Sequence, residues 1–287
     1  MDGHMELPIK LESAVTGFCV TKNFINCLCK KTIYKIDKES KTVAYKKEIF
    51  EKDGAARILT ADENRIYISD FCTLYILDGA ELEVIGKWRL GEDLSSDICG
   101  MTADDRKIYC SVRNGKLVTV DKGSFEKKEY DISDASMWRL KVYENFLLCG
   151  TVDGQLLLLD RDNMSAVKKM TLGRQNVRSL FVNGSTLYAA CQDKKLFNID
   201  LKKFEITCFQ KNVHKKMFDC AGVYNGMLVT VSHPCSEIVL WDLNTLEKRK
   251  EIHTPLSLSG DTFIEEDRLY MTSRNIEGVG MINLNLV

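Results

Sequence analysis

Leu156-Leu157-Leu158-Leu159-Asp160 is a short apolar run closed by an acid, and the same device recurs along the chain. Its other copies are Ile33-Tyr34-Lys35-Ile36-Asp37, Leu74-Tyr75-Ile76-Leu77-Asp78, Leu117-Val118-Thr119-Val120-Asp121, Leu196-Phe197-Asn198-Ile199-Asp200 and Ile238-Val239-Leu240-Trp241-Asp242. A seventh, Val279-Gly280-Met281-Ile282-Asn283, ends in an amide. The closing residues follow one another at intervals of 39 to 43 residues. A period of about 40 to 45 is that of a four-stranded propeller blade.

Working outward from each copy, a second apolar strand precedes it, as in Arg65-Ile66-Tyr67-Ile68 and Thr186-Leu187-Tyr188-Ala189, across a short polar turn. The closing acid suits a turn, because a short carboxylate accepts from backbone N–H groups one or two residues on. A charged outer strand follows, such as Val43-Ala44-Tyr45-Lys46-Lys47, and its lysine pair fits a solvated edge that discourages pairing between molecules. The sequence ends directly after the seventh copy, so the last blade needs an outer strand from elsewhere. Leu7, Ile9 and Leu11 alternate with Pro8, Lys10 and Glu12 and supply one. The expected fold is all-β, a seven-bladed β-propeller closed by pairing of the N-terminal strand 5–12 with the C-terminal blade. It forms a single domain over residues 5–287, with 1–4 as a tail. Asp53-Gly54-Ala55-Ala56-Arg57 reads as a short helical turn.

The composition narrows the function. Apolar residues at 45% and charged residues at 28% describe a core-forming globule. Lys+Arg 40 against Asp+Glu 41 leaves a formal charge of −1, too even to drive nucleic-acid binding by counterion release. No run reaches the roughly 18 apolar residues of a membrane span, and Asp2, His4 and Glu6 stand where a basic signal region would lie. Eleven cysteines, an odd number scattered through runs such as Cys27-Leu28-Cys29, read as reduced, packed thiols. The expectation is a cytoplasmic monomer without a cofactor or bound metal.

Over nearly its whole length the chain resembles the WD-repeat and quinoprotein-like propeller superfamily, as a divergent member. Leu240-Trp241-Asp242 is similar to the Trp-Asp signature, whereas the other copies read Ile-Asp, Leu-Asp or Val-Asp and no Gly-His dipeptide opens the repeats. The resemblance implies a protein-interaction scaffold.

In such a scaffold the loops joining blade to blade and those between the two middle strands share one face around the channel mouth. Aligned inner strands place Gly17, Arg57, Cys99, Arg139, Arg178, Cys220 and Asp261 at one equivalent position there. Guanidinium groups pair bidentately with carboxylate or phosphate, so Arg57, Arg139 and Arg178 with Asp261 point to an acidic peptide or protein partner or an anionic small molecule. The plainer reading ties each arginine to an aspartate such as Asp97 or Asp134. Arg113, His233 and Arg274 add polar loop positions, and Trp138 beside Arg139 has the make-up of a recognition hot spot. In blade six, His214 and His233 are the candidate acid–base residues of the alternative reading, a lyase- or hydrolase-like enzyme or small-molecule binder. Whether the chain is catalytic stays open between these two.

Overall fold

A computed structural model describes residues 5–51, 58–233, 237–254, 262–272 and 276–286. The leading strand is β1 (Met5–Lys10). Blade one comprises β2 (Gly17–Val20), β3 (Phe24–Cys29), β4 (Thr32–Asp37) and β5 (Val43–Glu48). Blade two comprises β6 (Ile58–Ala61), β7 (Arg65–Asp70), β8 (Thr73–Asp78) and β9 (Val84–Arg89). Blade three comprises β10 (Ile98–Ala103), β11 (Lys107–Val112), β12 (Lys116–Asp121) and β13 (Lys127–Asp131). Blade four comprises β14 (Met137–Tyr143), β15 (Phe146–Thr151), β16 (Gln155–Asp160) and β17 (Ala166–Thr171). Blade five comprises β18 (Val177–Asn183), β19 (Thr186–Cys191), β20 (Lys195–Asp200) and β21 (Glu205–Gln210). Blade six comprises β22 (Met217–Tyr224), β23 (Met227–His233), β24 (Glu237–Asp242) and β25 (Lys248–His253). Blade seven holds β26 (Thr262–Glu265), β27 (Arg268–Thr272) and β28 (Gly278–Asn283).

Every sheet has four strands, and the seventh runs β1-β28-β27-β26, so the leading strand is its outer member. The fold class is a seven-bladed β-propeller. The strand stops at Lys10, two residues short of the expected bound, although Leu11 N still donates to Glu277 O at 2.8 Å. The expected helical turn at 53–57 lies outside the described residues. By its contacts the chain divides into two compact units, one of Ile9–Met137 with Ile276–Gly278 and one built mainly of Trp138–Asn275 with Val279–Val287. Among the described residues no helix is long and apolar enough to cross a membrane.

The middle strands are buried on both faces, as Leu156, Leu158 and Leu159 in β16 and Leu74, Ile76 and Leu77 in β8 illustrate. The outer strands β5, β9, β13, β17, β21 and β25 are exposed at most positions, which explains their Lys and Glu content. Each closing aspartate folds the turn that follows it. Oδ1 of Asp37, Asp78, Asp121, Asp160, Asp200 and Asp242 accepts the backbone N–H groups two and three residues on, one residue further than the sequence reading expected. Four residues past each acid, Lys41, Leu82, Phe125, Met164, Phe204 and Leu246 take φ between 55° and 60°. The left-handed turn folds Leu82, Met164 and Leu246 into the core.

The carbonyl following a closing acid also receives the preceding blade. Lys35 Nζ donates to Gly79 O, Arg65 Nη1 to Lys122 O at 2.8 Å, and Tyr188 Oη and Asn198 Nδ2 to Leu243 O at 3.0 and 2.8 Å. These carbonyls sit in turns where no ladder partner reaches them, so a side chain must satisfy them.

Candidate functional site

The inner strands of blades four to six place the arginines. In β18 buried Val177 pairs with Cys191, and the next pair is Ser179 with Ala190, so Arg178 bulges out between them. In β10 the same irregularity ejects Cys99 between the pairs Ile98–Val112 and Gly100–Ser111. Because β14 opens on buried Met137, the residue matching Arg178 is Trp138, not Arg139. In β22 buried Phe218 pairs with Ser232 at the place of Val177, which makes Asp219 the next residue in line instead of Cys220. The irregularity in β22 comes later, between Cys220 and Gly222, so it is the buried residue opening each strand that corrects the equivalence of Arg139, Arg178 and Cys220.

Three of the candidates, Arg139, Arg178 and His233, nonetheless meet around Asp219. Arg178 Nε lies 3.3 Å from Asp219 Oδ1, joining blade five to blade six, and His233 Nε2 lies 3.0 Å from Asp219 Oδ2. Arg139 Nε donates to Arg178 O. Burial alone would raise the Asp219 carboxyl, but His233 together with the Arg178 and Arg139 guanidiniums holds it below the usual carboxylate range. Asp219 is ion-paired with Arg178 alone, so the Arg139 guanidinium has no carboxylate at ion-pair distance among the described residues. Trp138, 41% exposed, stands beside Arg139. His233 Nδ1 and Ser232 Oγ are buried, with no hydrogen-bond partner among the described residues. His233 ends strand β23 opposite Met217, so it belongs to a strand and not to the loop where the sequence reading put it.

His214 lies elsewhere, in the loop from β21 to β22, with its ring buried against blade six. Trp241 Nε1 donates to Thr230 Oγ1 at 2.7 Å, and of the two acceptors within reach of the Thr230 hydroxyl, His214 Nε2 at 2.7 Å is much closer than Val239 O at 3.4 Å and takes its proton. The remaining imidazole nitrogen, Nδ1, then carries the proton and donates to Glu237 Oε2 at 2.6 Å. Burial lowers the imidazole pKa and Glu237 opposes it, consistent with this neutral tautomer. The ring also packs on Phe218 with centroids 5.0 Å apart. Both nitrogens are engaged within the blade, a structural arrangement that presents neither to a ligand. The sequence signal was Trp241-Asp242 itself, but Glu237 is separated from His214 by a whole hairpin and carries no motif.

Arg113 pairs with Asp97 at 3.0 Å, and both flank the β10–β11 hairpin of one blade, so this is a tie within blade three. Arg57, Asp261 and Arg274 lie outside the described residues. Among the described residues no group of three or more His, Cys, Asp or Glu side chains is placed to hold a metal ion.

Sequence reasoning passed over a second feature, at the β6–β7 and β10–β11 turns. Asp62-Glu63-Asn64-Arg65 and Asp104-Asp105-Arg106-Lys107 fold alike. Oδ1 of each aspartate accepts the turn N–H groups, and Oδ2 accepts Tyr67 Oη at 2.5 Å or Tyr109 Oη at 2.7 Å. Lys122, nearly buried, bridges Asp62 and the Asp104 carbonyl. Between these turns lies a cavity of about 610 Å³, and a second of about 270 Å³ shares Asp62, Glu63 and Asn64 and is also lined by Lys35 and Phe24.

No protein-family model and no curated protein matches the chain. Among solved structures it is similar to the β-propeller domain of Myceliophteria thermophila Cps50 (Swd1), with a TM-score of 0.81 and 11% identity, covering 98% of this chain and 99% of that one. It is also similar to the computationally designed Ika8 protein, with a TM-score of 0.72 and 12% identity over 97% of this chain and 100% of that one. At these identities the likeness shows the fold alone, a seven-bladed β-propeller.

Proposed function

We propose that this propeller is a protein-interaction module whose cluster at Arg139, Arg178, Asp219 and His233 receives an acidic side chain of a partner protein. The observation that carries the reading is the charge balance: one buried carboxylate, Asp219, is ion-paired with Arg178 and feels the field of Arg139 as well, and exposed Trp138 adjoins Arg139 in β14. Arg and Trp dominate recognition surfaces because they combine directional donors with large contact area. The reading takes the chain as a divergent WD-repeat propeller, supported by the Trp241–Thr230–His214–Glu237 chain of blade six. It also takes it as a cytoplasmic monomer. Burial pushes the Cys110 and Cys191 thiols up to about 12, which suits packed thiols kept reduced.

The test is a titration with glutamate-rich peptides followed by Trp138 emission and repeated by calorimetry. In the Arg139→Ala/Arg178→Ala double variant affinity is expected to fall at least tenfold, about 1.4 kcal/mol. In the wild type it weakens with added salt, as partly exposed charges are screened. Equal affinity of the double variant and the wild type would refute the reading.

A further inference from the structure

Lys35 occupies a position in the middle of strand β4 where the other blades carry Ile76, Thr119, Leu158, Asn198, Leu240 or Met281. It is 8% exposed. Its ammonium donates to Gly79 O and sits 4.1 Å from the Phe24 ring centroid. Among the described residues no carboxylate lies within ion-pair distance of it, and Gly79 O takes only one of its three N–H donors. A buried ammonium whose one counter-charge, Asp78, acts from beyond ion-pair distance is costly, and the usual remedies are a direct acidic partner or loss of the proton. Here the group faces the cavity of about 270 Å³ instead, whose wall adds Lys22, Thr21, Asn23 and Asn64 as polar groups and Phe24 and Ile66 as apolar surface. Asp62, on the same wall, is already paired with Lys122, so Glu63 is the one acid there that disfavours a second negative charge on a ligand.

We propose that this cavity is a binding site for a small monocarboxylate with an apolar body, its carboxylate held by Lys35 and its body lying against Phe24 and Ile66. The site lies in blades one and two and is independent of the acidic-partner reading above. Burial lowers the lysine pKa while Asp78 raises it, so the bound anion stabilises the charged form.

Benzoate, benzylamine and inorganic phosphate serve as probes, measured by calorimetry against the full chain. Benzoate is expected to bind saturably, and Lys35→Met to weaken it more than tenfold while Lys35→Arg retains it. Met281 holds the equivalent place in blade seven, so K35M preserves the strand. Should K35M nevertheless fail to fold, the ε-carbon resonance of Lys35 in ¹³C-lysine-labelled wild-type protein decides, and it must move as benzoate is added. Absence of benzoate binding up to about 10 mM, equal binding by K35M, an unmoved Lys35 resonance, or tighter binding of phosphate or benzylamine than of benzoate would each overturn the proposal.

Discussion

Gly278→Ala is expected to release the leading strand from the seventh blade. Gly278 opens β28 at φ +142°, a conformation side chains rarely adopt, and a Cβ there would lie 1.6 Å from the carbonyl oxygen of Ile9 in β1. Backbone cannot yield as a flexible side chain does, so β1 has to move away. Ile9 and Leu11, both buried, then return to water. At about 1.5 to 3 kcal/mol for each large apolar side chain, the loss is on the order of 4 kcal/mol, an upper estimate because unfolded chains retain some burial. Thermal melting measures it, and protease cleavage after Lys10 reports the freed strand. The cause is separable by a double-mutant cycle with a chain shortened to begin after Lys10. In that background Gly278→Ala is expected to cost only its backbone strain, roughly 1 to 3 kcal/mol. Full additivity of the two changes would show that Gly278 is not there to admit β1.

That strand was legible because alternation over Leu7, Ile9 and Leu11 is local, and so were the blades, whose period survives in the buried middle strands. Other features depend on information that a linear alignment does not hold. The bulges at Cys99 and Arg178 each insert one unpaired residue. No residue type marks them, since neither is glycine, and nothing in the sequence marks Met137 as the start of β14, which puts Trp138 and not Arg139 at the position of Arg178. The arginine–aspartate tie that the sequence offered as the plain reading is present at Arg178 and Asp219, yet the same geometry gathers Arg139 and His233 around it. Lys35 shows the opposite failure. Its signal was in plain view as a charge inside a run that is apolar or neutral in the six other copies, but it reads there as one more tolerated variation of the repeat. Only its burial and the cavity beside it separate it from the solvated lysines of the outer strands.

His214→Ala is expected to destabilise the protein by about 3 kcal/mol at pH 7, by removing a fully buried ring and by leaving the Glu237 carboxylate without its donor. The same substitution is expected to remove a pH dependence. In the native state the imidazole pKa lies below its ordinary value because burial penalises the cation, with the field of His233 acting in the same direction and Glu237 and Glu251 opposing. In the unfolded chain it titrates at about 6.5. Between those two values the unfolded state binds a proton that the native state does not. Stability from this group is therefore complete above pH about 6.5 and is lost as pH falls below it, at up to about 1.4 kcal/mol per pH unit until the native imidazole itself takes up the proton. Denaturant melts at intervals between pH 7.5 and 5 measure the slope in the wild type and in His214→Gln, which keeps a donor for Glu237 and has nothing to titrate. A slope unchanged in His214→Gln would mean that the imidazole titrates alike in the native and unfolded states. A native-state cation, with Thr230 accepting from His214 as well as from Trp241, would instead make the imidazole's contribution fall as pH rises.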